Sequence, residues 1–167
     1  MNENNKVFIT GASGGIGSSI CNKFESKNFT LILTSSSEKK IENLKKKYGN
    51  NHFYYKIDLS NPDSLQNSLD IISKNHNDIS VIINNAGITE DGLIFRMKND
   101  QWSKVLQTNL NSNYQIIKSL LPNMLSKKYG KIIGISSIVA STGNPGQANY
   151  VASKSGMIGL YKSIALE

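Results

Sequence analysis

The sequence predicts an α/β fold: a doubly wound, mainly parallel sheet with helices on both faces. Three observations predict it. Strand-like runs recur at 6–10, 30–34, 52–57, 79–84 and 131–136, with helical patterns between them. The first run passes straight into a glycine-rich stretch, GASGGIG, before a helical pattern begins. At 167 residues the chain is one domain's worth, long enough for a sizeable core, and no linker, internal repeat or composition shift marks a second domain. One domain over 1–167 is therefore expected, its sheet stopping after the fifth strand and the helix that follows.

Lys6 to Thr10 (KVFIT) reads as a short buried strand. Gly11 to Gly17 follows, and from Gly15 to Lys27 the residues Ile16, Ile20 and Phe24 fall on one helical stripe. Strand, glycine turn and helix in that order are the setting of a phosphate-binding loop. The glycines let the backbone approach a pyrophosphate, and the helix N-terminus offers free N–H groups and positive dipole. The spacing is G-x-x-x-G-x-G rather than G-x-G-x-x-G, and a plain β–α turn could carry the same glycines; the flanking strand and helix favour dinucleotide binding. Cys21, the single cysteine, lies beside the helical stripe and is expected as a small core residue, so no intrachain disulfide can form. The second strand runs into Thr34-Ser35-Ser36-Ser37, and the third into Asp58, which on local grounds would cap the turn before Pro62.

Val81 to Ile88 (VIINNAGI) is a strand ending in Asn84-Asn85-Ala86-Gly87. Open α/β sheets bind ligands at the C-terminal edge of their strands, where small and amide residues permit close approach. Asn84 is expected both to serve that edge and to bridge neighbouring strands. A helix from about Asn99 to Ser126 places Trp102, Leu106, Leu110, Ile117, Leu121 and Met124 at helical spacing, with Asn109 among them. A buried amide is costly unless bonded, so Asn109 needs a backbone partner or a water, and its spacing favours the backbone. The fifth strand leads to Ser137. On the helix beginning near Asn149, Ala152, Gly156, Gly159 and Ser163 form a face of small residues suited to close packing, on a neighbouring helix or a second subunit.

Tyr150 and Lys154 stand four residues apart on that last helix, so the ammonium lies beside the phenol. An adjacent cation favours the phenolate over the free phenol, whose pKa is about 10. A phenol tuned this way can exchange a proton with an oxygen near neutral pH. Ser137 would hold the same oxygen by a hydrogen bond. A Y-x-x-x-K pair alone is most often a surface pair; the glycine loop upstream is what gives it weight here.

Net charge is +7, from 19 Lys and Arg against 12 Asp and Glu. The lysines fall in short runs, Lys39-Lys40, Lys45 to Lys47 and Lys127-Lys128, without interleaved aromatics. Solvated helix faces are the expectation, nucleic acid is not, and an acidic or phosphorylated partner is compatible with the excess. The polar start MNENNK has no apolar segment of a signal peptide, and no run approaches the ~18–20 apolar residues of a membrane span, so a cytoplasmic protein is expected. His52 and His76 have no ligand cluster around them, and no metal site is expected.

Together, TGASGGIG, NNAG, Asn109, Ser137, Tyr150 and Lys154 resemble the short-chain dehydrogenase/reductase family, over the entire chain. The resemblance implies a Rossmann-like sheet and an Asn109–Ser137–Tyr150–Lys154 tetrad. In it Tyr150 is the proton donor in reduction and Ser137 positions the carbonyl oxygen. Lys154 lowers the phenol pKa and holds the nicotinamide ribose, and Asn109 helps position a water. It also implies cofactor contacts from Gly11, Ser13, Gly14, Ile16, Gly17, Thr34, Ser35, Asp58, Leu59, Asn85, Ala86 and Gly87, as well as Tyr150 and Lys154, with Asp58 at the adenine.

Within the family, NNAGITEDGLIFRM, Trp102 and GNPGQANYVASK are similar to bacterial-type β-ketoacyl-acyl-carrier-protein reductases. That similarity implies an acyl-carrier protein as partner, met in part by Lys128, a homo-oligomer, and a role in fatty acid biosynthesis. A reductase of another ketone or acyl-CoA, and an inactive nucleotide-binding fragment, stand beside it as alternatives. The hydroxyls of Thr34 to Ser37, the lack of an acid there and the nearby Lys39 and Lys40 favour NADPH over NADH. Glu38 is nearby as well, and Gly14 stands where many such reductases carry an arginine. Family members continue beyond the position of Glu167 with two more strands and a substrate-covering loop, so a fifth strand left as a bare sheet edge is expected.

Overall fold

A computed structural model of the chain describes residues 6–167; the polar start read as lacking an export signal lies, over 1–5, outside the described residues. Five strands alternate with helices: β1 (Lys6–Ile9), α1 (Gly15–Glu25), β2 (Thr30–Ser35), α2 (Glu38–Tyr48), β3 (Phe53–Lys56), α3 (Pro62–Asn75) and β4 (Ile79–Asn84). A long helical stretch follows as α4 (Asn99–Leu106), a π-helical turn (Gln107–Asn111) and α5 (Ser112–Ser126), then β5 (Lys131–Gly134), α6 (Val139–Thr142) and α7 (Ala148–Ile164). All strand pairs are parallel, in the order β3-β2-β1-β4-β5. The order reverses direction at β1, which pairs with both β2 and β4, so a crevice opens between the C-terminal ends of β1 and β4.

Alternation along the strands splits the core into two layers. Phe8, Ile32 and Ile82 point to one face and meet Leu65, Leu69 and Ile72 of α3 with Ile116 and Leu120 of α5. Val7, Ile9, Leu31, Leu33, Val81 and Ile83 point to the other and meet Cys21 of α1 with Ile41 and Leu44 of α2. The central strands are apolar on both sides because both faces are covered. Phe53 of β3 and Ile133 of β5 are 40% and 43% exposed, which marks the two edges.

Two stripes differ from the sequence expectation. α1 buries Gly17 and Cys21, while Ile20 and Phe24 sit at the rim and Ile16 is 62% exposed. The helix is rolled this way because Gly17 faces the preceding turn, where a Cβ would lie 2.2 Å from the Gly11 carbonyl oxygen. On the long helix the buried set is Val105, Thr108, Asn109, Ser112, Asn113, Ile116 and Leu120, joined by Ile117 and Met124. Trp102 is exposed, and Leu106, Leu110 and Leu121 are only half-buried. From Gln107 on, the wider hydrogen-bond ring of the π-helical turn shifts the phase, which a uniform 3.6-residue period cannot follow; Trp102 and Leu106 precede it and stay outside because α4 turns Val105 to the core.

Cys21 is fully buried, and burial pushes its thiol up to about 11, an inert core residue. Among the described residues no helix is long and apolar enough to cross a membrane, and no three His, Cys, Asp or Glu side chains gather.

Candidate active site

A cleft of about 500 Å³ lies at the C-terminal edge of β1, β2, β3 and β4. Its floor is the glycine turn. Gly11 adopts φ +65, and a Cβ there would lie 2.9 Å from Ala86 Cα. Only glycine fits both the left-handed backbone and the contact. The first backbone bond into α1 is Ser18 N–H to Gly14 O at 2.8 Å, so the N–H groups of Gly15, Ile16 and Gly17 have no helical acceptor. They face the cleft with the positive end of the helix dipole behind them, a donor set suited to a phosphate.

Side chains tie the turn to the strand beside it. Thr10 Oγ1 accepts from the N–H groups of Asn85 and Ala86, at 3.0 and 3.1 Å. Asn85 Nδ2 donates back to Thr10 O and Gly11 O, at 3.0 and 3.2 Å. The bridging expected of Asn84 therefore belongs to Asn85. Asn84 is one residue earlier and points to the opposite face, where its Nδ2 donates to Tyr161 Oη of α7 at 2.8 Å. Ser13 and Ser35 hydroxyls meet at 3.0 Å, and Ala12 N–H donates to Thr34 O at 3.1 Å, locking the turn to the exit of β2. Asp58 Oδ1 accepts from Ser60 N–H and Oγ–H at 2.9 and 2.6 Å, which hold its carboxyl below the usual range. Those bonds cap the turn before Pro62, and α3 itself is capped by Asn61, accepting from Ser64 N–H at 2.9 Å.

The polar residues singled out downstream meet at the other end of the cleft. Lys154 is buried; its Nζ donates to Ile135 O at 2.7 Å and lies 5.7 Å from the Tyr150 ring centroid. Burial pushes this ammonium below the ordinary lysine range. Asn109, in the π-helical turn, brackets one residue: Oδ1 accepts from Ile88 N–H and Nδ2 donates to Ile88 O, both at 2.9 Å. The same Nδ2 reaches Ser153 Oγ at 3.2 Å, and that hydroxyl donates to Tyr150 O at 2.7 Å. Gly87 sits between these groups, since a Cβ there would lie 3.4 Å from Lys154 Nζ and 3.5 Å from Asn109 Oδ1.

Ser137 follows β5 in the turn that opens α6, one residue past Ser136, whose hydroxyl donates to Lys154 O at 3.2 Å. Ser137 and Tyr150 are half-buried, and neither hydroxyl has a protein hydrogen-bond partner among the described residues. The phenol lies beside the buried ammonium, and both hydroxyls are free to meet a ligand oxygen.

All cleft residues named from the sequence as cofactor contacts line it, from Gly11, Ser13, Gly14, Ile16 and Gly17 through Thr34, Ser35, Asp58 and Leu59 to Asn85, Ala86 and Gly87. Tyr150 and Lys154 do not line it; they stand beyond Gly87. Thr10, Ser153 and Asn149 were missed. Asn149 is fully buried and donates to Glu90 O and Gln101 O at 2.9 and 3.3 Å, fixing the start of α7. Thr10 alone had a signal, as a polar residue closing an apolar strand just before a glycine.

A model of the short chain dehydrogenase family matches residues 5–167. The 3-oxoacyl-[acyl-carrier-protein] reductase FabG of Buchnera aphidicola from Acyrthosiphon pisum is 44% identical over 168 residues, covering 100% of this chain and 69% of the relative. The Haemophilus influenzae protein of that name is 41% identical over 96% of this chain and 66% of its own length. The Escherichia coli one is 37% identical over 100% of this chain and 69% of its own. The chain thus spans about two thirds of the length of these curated relatives. A solved structure of a metagenomic short-chain oxidoreductase in complex with NADP superposes with a TM-score of 0.90 at 30% identity, covering 97% of this chain and 75% of that one.

Proposed function

The chain belongs to the short-chain dehydrogenase family, and from that premise we propose that it reduces a 3-oxoacyl group on acyl-carrier protein to the 3-hydroxyacyl group, with NADPH, in fatty acid biosynthesis. The observation that carries the chemistry is the buried Lys154 ammonium 5.7 Å from the ring of Tyr150, whose hydroxyl, like that of Ser137, has no protein partner among the described residues. The preference for a carrier-bound substrate is supported by the similarity to the carrier-protein reductases.

The cleft fits a dinucleotide. The unpaired N–H groups of Gly15 to Gly17 would take the pyrophosphate, Asp58 and Leu59 would flank the adenine, and Asn85 to Gly87 would lie along the nicotinamide half. NADPH, when bound, supplies a hydride to the carbonyl carbon. The residues do the rest. Ser137 donates a hydrogen bond to the carbonyl oxygen and fixes it. Tyr150 gives its phenolic proton to that oxygen as negative charge develops. Lys154, held by Ile135 O, keeps a positive charge beside the phenol and favours its loss of the proton. Asn109 positions Ile88 through both of its backbone groups and, being fully buried, serves the site by holding that segment in place.

The protein acts in the cytoplasm as a homo-oligomer. The small-residue face of α7 supports the assembly: Gly156 packs on Leu110, whereas Gly159 and Ser163 are exposed and a Cβ at Gly159 would meet nothing within 4 Å. Carrier docking falls to Lys127, Lys128 and Lys131, which cluster where α5 ends and β5 begins. The test is steady-state reduction of acetoacetyl-carrier protein and of acetoacetyl-CoA by NADPH, for the native protein and Lys128→Glu. The docking surface predicts a raised KM for the carrier-bound substrate alone, with added salt acting the same way because exposed charges are screened over about 8 Å at physiological ionic strength. Equal effects on both thioesters would remove the carrier from the proposal.

A further inference from the structure

We propose that Lys40 is the side chain with which this chain selects a 2′-phosphorylated nucleotide, working from the first turn of α2 in place of a cation that its glycine loop lacks. The proposal rests on the NADPH assignment above and adds the residue that enforces it.

Gly11 to Gly17 carry no charged side chain, so the loop can hold the pyrophosphate through backbone N–H groups but offers no ammonium or guanidinium to a further phosphate. Among the described residues lining the cleft there are two cations, Lys40 and Lys104. Lys104 is paired with the Glu90 carboxylate and lies toward the π-helical turn. Lys40 has no ion-pair partner among the described residues and stands at the exit of β2, beside Ser35 and Ser36.

The roll of α2 decides between the two neighbouring lysines. Ile41 and Leu44 are buried in the core, which fixes the helix about its axis. Lys39 and Lys40 are both exposed, and successive helical residues diverge by about 100°. Lys40 borders the cleft and Lys39 does not. The first turn is itself pinned, because Ser37 caps it by accepting from Lys40 N–H at 3.4 Å and its carbonyl accepts from Ile41 N–H at 3.1 Å.

The rest of the subsite agrees in charge. Asp58 is the one carboxylate lining the cleft among the described residues, and its Oδ1 is occupied by Ser60 N–H and Oγ–H. Glu38 shares the first turn of α2 with Lys40 but is exposed and does not line the cleft, so no carboxylate lines it at the exit of β2 to take a ribose 2′-hydroxyl. Ser35, held by Ser13 at 3.0 Å, and the exposed Ser36 offer hydroxyls instead. An ammonium on a flexible stem meets a phosphate as a point charge, and the first-turn N–H groups of α2 add to the same field.

The test measures binding to the full chain, without turnover, using two adenosine probes that differ by one phosphate: 2′,5′-ADP and 5′-AMP. Calorimetry on the native protein, Lys40→Ala, Lys40→Arg and Lys39→Ala gives the dissociation constants. Lys40→Ala should weaken 2′,5′-ADP by about tenfold, the low end for a charge-assisted contact at an exposed site, and change 5′-AMP less than about twofold. Lys40→Arg should retain most of the preference and Lys39→Ala all of it, and the native preference should shrink as salt is added. A native protein that prefers 2′,5′-ADP, with the preference intact in Lys40→Ala, overturns the assignment to Lys40 alone. A native protein with no such preference overturns the NADPH assignment with it.

Discussion

Tyr150 carries the chemical proposal on one oxygen atom, and removing that atom is the sharpest test of it. Tyr150→Phe deletes the proton donor but leaves the contacts of the neighbouring backbone, where Tyr150 N–H donates to Asn149 Oδ1 at 2.7 Å and Tyr150 O accepts from Ser153. General acid catalysis is worth about 10²–10⁴-fold, so turnover should fall by at least that range while NADPH binding, followed by nicotinamide fluorescence, stays near native. Retention of most turnover would take Tyr150 out of the mechanism. Lys154 acts differently, because it is both electrostatic and structural: its ammonium crosses from α7 to Ile135 O after β5.

One phenol of α7 reaches directly into the sheet. Tyr161 Oη donates to Asn113 Oδ1 and accepts from Asn84 Nδ2, each at 2.8 Å, so it links α7, α5 and β4. Burial pushes this phenol up from 10.0 to about 12. The folded state therefore keeps the proton after the unfolded chain has lost it. Stability contributed by Tyr161 is complete below about pH 10 and is lost as pH rises toward 12. Tyr161→Phe should cost about 1–3 kcal/mol at neutral pH, from Asn84 Nδ2 and Asn113 Oδ1 left without a partner, and flatten the alkaline fall in melting temperature. An unchanged alkaline slope would show that other groups set it.

The sequence carried the strands almost to the residue, because an apolar run buried on both faces leaves few other places to go. It also carried the cleft, because glycines at Gly11 and Gly17 have no steric substitute. It did not carry the partners of Asn84 or the roll of the long helix. A one-residue parity in β4 decides the first, and the burial of Val105 with the π-helical turn after it decides the second; both depend on contacts with distant parts of the chain. Lys154 could be named from its spacing to Tyr150, but its bond to Ile135 O requires the path of the chain after β5.

At the scale of the whole molecule, β3 and β5 bound the sheet with partly exposed edges, and an open edge is a template for further strand pairing. The order β3-β2-β1-β4-β5 also governs when the cleft comes into being. Thr10 and Asn85, whose mutual hydrogen bonds join the two halves of the cleft, are 75 positions apart in the chain. β1, β2 and β3 can pair as soon as they exist, yet the nucleotide floor stays open on one side until β4 inserts beside β1. Closing so long a loop precedes any reward from the contacts it brings, which makes it a slow event. In a refolding experiment, nucleotide fluorescence should appear only with the slowest phase, after most helical signal has returned; an early, complete fluorescence change would place β4 in the sheet from the start. During synthesis the same geometry sets a sequence of competence. A nascent chain can hold no cofactor until Asn85 and Gly87 have emerged, so the ligand can stabilise the second half of this fold but cannot assist the first.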